Sequence, residues 1–402
     1  MWARCSPSWP APSAASFAEA DVGISNPRLG MVAGEASGDL LASLLLQGLR
    51  ERWPGAQAAG IGGPKMLAQG FDAWWPSSKL SVFGYVDALR HYRELVGIRT
   101  ALRKRLVVDR PDLFIGVDAP DFNFGLETPL REAGIRTVHF VCPSIWAWRG
   151  ERVKKLAAAA DHVLCLFPFE PALLEQHGVK ASFVGHPLAD KIPLEPPREA
   201  ARNALKLAHD DTVVALLPGS RRSEIRYIAP VLLQAAALLA RQRPGLRFVL
   251  PVAPGLQDMV WPLVNELAGG ADVELLDGHS HEALAACDVT LIASGTATLE
   301  AALFKRPMVI TYRMHWLNWQ YMKRRAYQRW FGLPNVLCRK FIVPELMQDA
   351  ATPEALAREA LAWLDDAPRR ALLNDRLTEL HLTLRQDTAR KAGDAIAQIL
   401  EA

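Results

Sequence analysis

The sequence predicts an α/β protein made of two doubly wound halves that face each other across a cleft. Three observations carry that expectation. Short apolar runs alternate with helix-length stretches along most of the chain, several of the runs end in a glycine turn, and a proline-rich segment at 187–197 divides the alternation in two. Strands separated by helices pair in parallel, with helices covering both faces of the sheet. At 402 residues the chain is too long for one ordinary core, and its apolar half is ample for two.

Residues 1–27 are rich in Ala, Ser and Pro around Trp2 and Trp9 and hold no continuous apolar run. They read as a disordered tail, or as residues upstream of the true start, and not as a signal peptide. The first half, 28–190, opens on a strand at 29–33, whose glycine turn leads to a helix at 39–53 with Asp39 as its cap. Strands follow at 58–61, 113–117, 137–141, 163–166 and 182–184, and a long helical stretch covers 79–107. Four prolines and few large apolar residues mark 187–197 as the linker. The second half, 198–345, repeats the alternation with strands at 213–217, 247–252, 273–276, 289–292 and 308–312. The tail, 346–402, is helical from 352 onward. It is expected to cross back to the first half or to pack on the partner subunit of a homodimer.

Composition excludes several classes. A net charge of +3 is too small for a nucleic-acid binder, whose basic residues cluster heavily. The five cysteines form no C-x-x-C pair, which argues for reduced thiols over a disulfide framework or zinc site. No apolar run reaches the ~18 residues of a spanning helix, and 227–240, broken by Pro230 and Gln234, reads as a core helix. No period of 20–50 residues indicates a solenoid.

Function in such sheets sits on the loops that leave the strand C-termini, where helix N-termini present unpaired N–H groups. Four loops stand out. Gly34-Glu35-Ala36-Ser37-Gly38-Asp39 suits close approach of backbone to a ligand, with Glu35 and Ser37 facing it, although an ordinary βα turn has the same composition. It is not G-x-G-x-x-G, so a nicotinamide enzyme is not indicated. Asp118-Ala-Pro-Asp-Phe-Asn123 puts a carboxylate at the end of a buried strand, placed for general-base work, with Asn123 able to bond a hydroxyl. Helix capping by Asp118 or Asp121 is the alternative. Leu217-Pro-Gly-Ser-Arg-Arg222 offers Gly219 and Ser220 amides and the Arg221 guanidinium to an anion. Ala293-Ser-Gly-Thr-Ala-Thr-Leu-Glu300 adds donors from Ser294, Gly295 and Thr296. Glu300, further along, can hold two ribose hydroxyls or simply complement the helix dipole. The chain has no D-x-D and no His/Asp cluster, so amides, dipoles and arginine are expected to replace a divalent metal, and no cofactor is expected. His279 and His281 read as polar loop residues.

Together with Pro143-Ser-Ile-Trp-Ala-Trp148, Gly185-His186-Pro187 and Leu333-Pro-Asn335, these loops resemble the lipid-A-disaccharide synthases, glycosyltransferases of the GT-B fold. The matching segments run in the family's order from Leu29 to Asn335, and the tail to Pro27 departs from the pattern. The resemblance implies that UDP-2,3-diacylglucosamine donates its sugar to 2,3-diacylglucosamine 1-phosphate, giving a β-1,6-linked disaccharide 1-phosphate and UDP in lipid A biosynthesis. It implies Asp118 as base, and Arg221 and Asn335 as residues needed for activity or UDP binding. It also implies a peripheral enzyme on the cytoplasmic face of the inner membrane. Val82, Val86, Leu89 and Leu95 share one helical face, with Arg93 and Arg99 interspersed, as suits a helix lying in an anionic interface. An ordinary core-facing amphipathic helix would show the same pattern. A sugar-nucleotide 2-epimerase of the same fold and a non-catalytic nucleotide-sugar binder are the alternative functions.

Overall fold

Two parallel sheets organise the chain, and in each the sequence begins mid-sheet and winds outward before reversing. The structure, a computed structural model, describes residues 26–34, 36–80, 85–147, 149–325 and 327–401, with backbone alone at 36 and 85–92. The first sheet holds β1 (Arg28–Ala33), β2 (Gln57–Gly62), β3 (Asp72–Pro76), β4 (Leu113–Val117), β5 (Thr137–Phe140), β6 (His162–Cys165) and β7 (Ala181–Phe183). Their order is β3-β2-β1-β4-β5-β6-β7. The second holds β8 (Thr212–Leu217), β9 (Leu246–Val252), β10 (Asp272–Asp277), β11 (Val289–Ala293), β12 (Met308–Tyr312) and β13 (Glu345–Met347). Their order is β10-β9-β8-β11-β12-β13.

The helices of the first half are α1 (Ala36–Arg52), α2 (Pro64–Ala68), α3 (Tyr85–Asp109), α4 (Pro120–Glu132), α5 (Arg152–Ala159) and α6 (Glu170–Glu175). Between the sheets lie α7 (Pro187–Lys191) and α8 (Arg198–Ala204). The second half adds α9 (Arg222–Gln242), α10 (Gln257–Leu267), α11 (Ser280–Ala286), α12 (Thr296–Leu303), α13 (Trp316–Lys323) and α14 (Leu333–Cys338). The chain ends on α15 (Pro353–Asp365), α16 (Ala367–Leu384) and α17 (Thr388–Glu401).

The winding direction reverses between β1 and β4 and between β8 and β11, and such reversals open a crevice at the strand C-termini. Ala33 pairs in register with Val117, so the loops from Gly34 and Asp118 are neighbours. Ile292 pairs with Leu217, which brings the loops at 218–222 and 294–296 together. Every residue of β4 and β11 is buried, as central strands covered on both faces require. The only described helix long and apolar enough to cross a membrane is α9, and it is a core helix with Ile225, Ile228, Leu232 and Leu239 buried. Cys142, Cys165, Cys287 and Cys338 are free thiols.

The structure departs from the sequence reading in several places. Helix α1 starts at Ala36, so Asp39 is not its cap; the buried carboxylate instead accepts from the amides of Gly63, Lys65 and Met66 and caps α2. Strands β3 and β13 were not expected. The segment 187–197 is no bare linker, because α7 packs Leu188 and Ala189 into the core. Helix α3 starts at Tyr85, with Val82 outside the described residues and the Val86 and Leu89 side chains likewise. Leu95 is half-buried and Arg93 exposed. Arg99 is half-buried, with its guanidinium 5.9 Å from the Phe122 ring.

The tail crosses back within the same chain. Ala389 on α17 sits so close to Gly48 on α1 that an added Cβ would come within 2.1 Å of it, and Arg52 pairs with Asp394 at 2.5 Å. On α16, buried His381 faces Ala189 O at 2.8 Å and Lys305 Nζ at 2.6 Å, joining the tail, α7 and the second half at one point.

Candidate active site

The reversal of the first sheet is where the backbone is most constrained. Asp118 and Ala119 follow β4 with φ of 50° and 43°, two successive non-glycine residues in the left-handed region. Such residues cost on the order of 1–3 kcal/mol each and persist where surrounding bonds enforce them. Here the Asp118 amide donates to Phe140 O at 2.9 Å, and Asn123 Nδ2 donates to Asp118 O at 2.7 Å. Half-buried Asp118 is thereby fixed at the crevice beside the Gly34 turn, where an added Cβ would come within 3.1 Å of Ala119.

Asn123, which the sequence offered to a sugar hydroxyl, is fully buried, and its Nδ2 holds the turn through Asp118 O. One helical turn on, Glu127 Oε1 meets His139 Nδ1 at 2.7 Å, with both side chains fully buried. Asn123 Oδ1, Glu127 Oε2 and His139 Nε2 have no hydrogen-bond partner among the described residues. The sequence reading missed this pair. An Asn and a Glu four apart on α4, facing a histidine in an otherwise apolar strand, were the available signal. Asp121 is 84% exposed and paired with Arg152 at 2.6 Å, which makes it loop support. Ser37 is half-buried at the start of α1, and Glu35 lies outside the described residues.

After β5 and β6, Trp146 Nε1 donates to Glu170 at 3.1 Å and the Phe167 amide donates to the same carboxyl at 3.0 Å. The rings of Trp146, Phe167 and Phe169 pack round it, and Trp148 lies outside the described residues. Burial pushes the Glu170 carboxyl up to about 8 from the ordinary 4.5, overriding the hydrogen bonds it accepts. A raised folded pKa contributes stability that is complete below pH 4.5 and lost as pH rises through 8. The parent protein should therefore lose on the order of a few kcal/mol of unfolding free energy from this group between pH 5 and 8.5. Denaturant melts of Glu170→Gln should be much flatter over that window. Equal slopes in the two proteins would remove Glu170 as the source.

In the second half the cradle is organised differently from the expectation. The amides of Ser220 and Arg221 are not open to an anion: both donate to Glu224 Oε2, at 2.9 and 3.1 Å, at the start of α9. Gly219, at φ 110°, has no room for a Cβ, which would fall 2.2 Å from the same oxygen. The Arg221 guanidinium, 49% exposed, lies 3.7 Å from Glu224 Oε1 and is the strongest donor this loop turns outward. Next to it, Ser294 Oγ donates to Phe331 O at 3.1 Å, and Thr298 Oγ1 to Gly295 O at 2.7 Å. Gly295 and Thr296 are exposed at the start of α12. Glu300 is half-buried and 3.3 Å from His281 Nε2, so His281 is more than a loop histidine.

Asn335, which the resemblance ties to activity or UDP binding, is bonded within its own segment. It is fully buried, Nδ2 donates to Val343 O and Glu345 Oε1, and Oδ1 accepts from the amides of Ile342 and Val343. Glu345 in turn accepts from the amides of Phe331 and Gly332, and burial raises its pKa. Asn335 therefore shapes the 331–345 segment against which Ser294 rests. The same segment reaches the first half: the Tyr327 amide donates to Ala147 O at 2.9 Å, and Gly150 N to Tyr327 Oη at 3.3 Å. Strand-end loops of both sheets thus border one crevice.

Comparison with known families matches residues 29–400 to lipid-A-disaccharide synthetase. The lipid-A-disaccharide synthase of Verminephrobacter eiseniae (strain EF01-2) is 57% identical over 378 residues, 93% of this chain and 97% of that protein. That of Paraburkholderia xenovorans (strain LB400) is 55% identical over 376 residues, 93% and 96% of the two chains. Among solved structures, UDP-GlcNAc 2-epimerase from Neisseria meningitidis bound to UDP-GlcNAc superposes with a TM-score of 0.64 at 12% identity, covering 93% and 99%. Acinetobacter baumannii MurG gives 0.54 at 14%, covering 94% and 99%. At those identities the structures establish the fold alone.

Proposed function

The chain belongs to the lipid-A-disaccharide synthetase family and carries lipid-A-disaccharide synthase activity on a GT-B fold, and on that premise we propose which residues perform it. The donor is UDP-2,3-diacylglucosamine and the acceptor 2,3-diacylglucosamine 1-phosphate. The first half holds the acceptor and the second half the UDP-sugar. Conversion of an α-linked donor to a β-linked product is a single in-line displacement, which needs one base and no covalent intermediate. Asp118 is that base. A sugar hydroxyl is too weak an acid to be ionised beforehand, so the carboxylate takes the proton late, as the new C–O bond forms. The observation that supports this most is the pinned left-handed turn that fixes Asp118 at the sheet reversal.

The leaving UDP gains charge in the same transition state. Arg221 and the Ser294-Gly295-Thr296 turn are its donors, and Glu300, oriented by His281, holds the ribose. No divalent metal is required in this reading. Transfer separates from epimerisation in one assay: donor plus acceptor should yield UDP and disaccharide, and donor alone should stay unchanged. Isomerised donor in the second arm would overturn the transfer reading.

Both substrates carry acyl chains, so the enzyme works peripherally on the inner face of the inner membrane, with the start of α3 as its lipid-facing helix. Replacing Val86, Leu89 and Leu95 together by Ser should weaken binding to anionic vesicles and leave unfolding cooperative. If the variant unfolds and binds no worse per folded molecule, these residues are core.

A further inference from the structure

A second apolar surface lies on the other half, at the rim of the crevice. Helix α13 has no buried residue, although its sequence is Trp-Leu-Asn-Trp-Gln-Tyr-Met-Lys. Trp316 is 64% exposed, Leu317 55% and Tyr321 45%, and beyond the helix Tyr327 and Phe341 are 64% and 53% exposed. Five of the eleven exposed large hydrophobic side chains among the described residues therefore fall within 29 residues, 313–341. Three of them share one eight-residue helix, and exposed apolar residues gathered in this way mark an interaction site, where scattered single residues would not.

Its charge identifies the partner. The segment carries Arg313, Lys323, Arg324, Arg325, Arg329, Arg339 and Lys340 and not one Asp or Glu, seven positive charges in a chain whose net charge is +3. The Arg325 guanidinium lies 4.4 Å above the Tyr321 ring, so cation and aromatic share one face. A two-fold contact with a second copy centred on this segment would set the cluster against itself. An anionic bilayer complements it, drawing Lys and Arg to the headgroups and Trp and Tyr to the interface. The helix is also tied in place: Trp319 packs on Phe331 at 5.8 Å, Phe331 O accepts from Ser294, and Tyr327 bonds the loop after β5.

We propose that 313–341, with α13 at its centre, is a second lipid-contact surface that seats the mouth of the crevice on the bilayer from which the acylated substrates are drawn. This rests on the lipid-substrate reading above and places a contact on the half that holds the UDP-sugar, separate from α3. The test uses the full chain, vesicles of phosphatidylglycerol with phosphatidylethanolamine, vesicles of phosphatidylcholine alone, and substrates with acyl chains short enough to dissolve.

Trp316→Ser, Leu317→Ser and Tyr321→Ser combined should cut binding to the anionic vesicles by roughly tenfold. Arg324→Gln with Arg325→Gln should remove the preference for anionic over phosphatidylcholine vesicles and most of the sensitivity to salt. Both variants should melt as the parent does, since the altered side chains are exposed, and turn over short-chain substrates within about twofold of it. Unchanged vesicle binding in both variants would overturn the proposal. So would a loss of self-association by sedimentation without loss of vesicle binding, which would make the occupant a second copy. An equal loss of short-chain turnover would place α13 in the sugar site instead. A parent protein that makes disaccharide from soluble substrates and ignores vesicles refutes this inference and the α3 contact while leaving the transfer reaction standing; one that makes none refutes the function proposed above.

Discussion

Asp118→Asn lowers kcat by ~10²–10⁴, the range for loss of a positioned acid–base group, and leaves UDP affinity close to the parent value. The substitution isolates chemistry from structure. Asparagine adopts the left-handed region readily, so the φ of 50° adds no new strain. The bond that pins the turn runs from Asn123 to the backbone carbonyl of residue 118, and it survives the change. Single-turnover rates and calorimetric UDP binding, measured on the same preparation, decide the point. Near-normal turnover would move the base elsewhere, to Glu35 first. Asp121 is the weaker substitute because its carboxylate is already engaged by Arg152.

Arg221→Ala should cost ~10²–10³ in turnover, by analogy with removal of one oxyanion donor, and should weaken UDP binding as well. Two effects combine. The variant loses the donor the loop turns outward, and it leaves the Glu224 carboxylate uncompensated beside an incoming pyrophosphate. The second effect can be separated. Glu224→Gln keeps an acceptor oxygen for the amides of residues 220 and 221 but removes the charge. In the Arg221→Ala background it should therefore recover part of the lost UDP affinity, measured as a double-mutant cycle. If Arg221→Ala harmed acceptor affinity alone, the leaving-group site would lie elsewhere.

What was legible in the sequence follows from what each residue's neighbours decide. Strands β1, β4, β8 and β11 are runs of apolar residues buried on both faces, and their position in the chain alone implies parallel pairing. The edge strands were not legible. β3 is half-buried, pairs on one side, shifts register opposite Gly60 and Ile61, and ends in Pro76, while β13 has three residues. Site residues were readable by chemical type but not by depth. Asn123 and Asn335 look like ligand-facing polar residues after a strand and a glycine turn. Tertiary packing buries both, and each spends its amide on backbone nearby. The occupied amides of Ser220 and Arg221 were hidden for another reason: with arginine in place of Ser or Thr at 221 there is no capping-box pattern to mark Glu224 as their acceptor.

The account's central claim is a one-base displacement whose leaving group is stabilised by protein donors. It is tested most directly by treating the purified protein with EDTA, adding both acylated sugars, and determining UDP yield and the anomeric configuration of the product by NMR. The account predicts one UDP per disaccharide, a β-1,6 linkage, and a rate essentially unchanged by the chelator. An α-linked product, or activity that returns only when a divalent metal is added back, would contradict it.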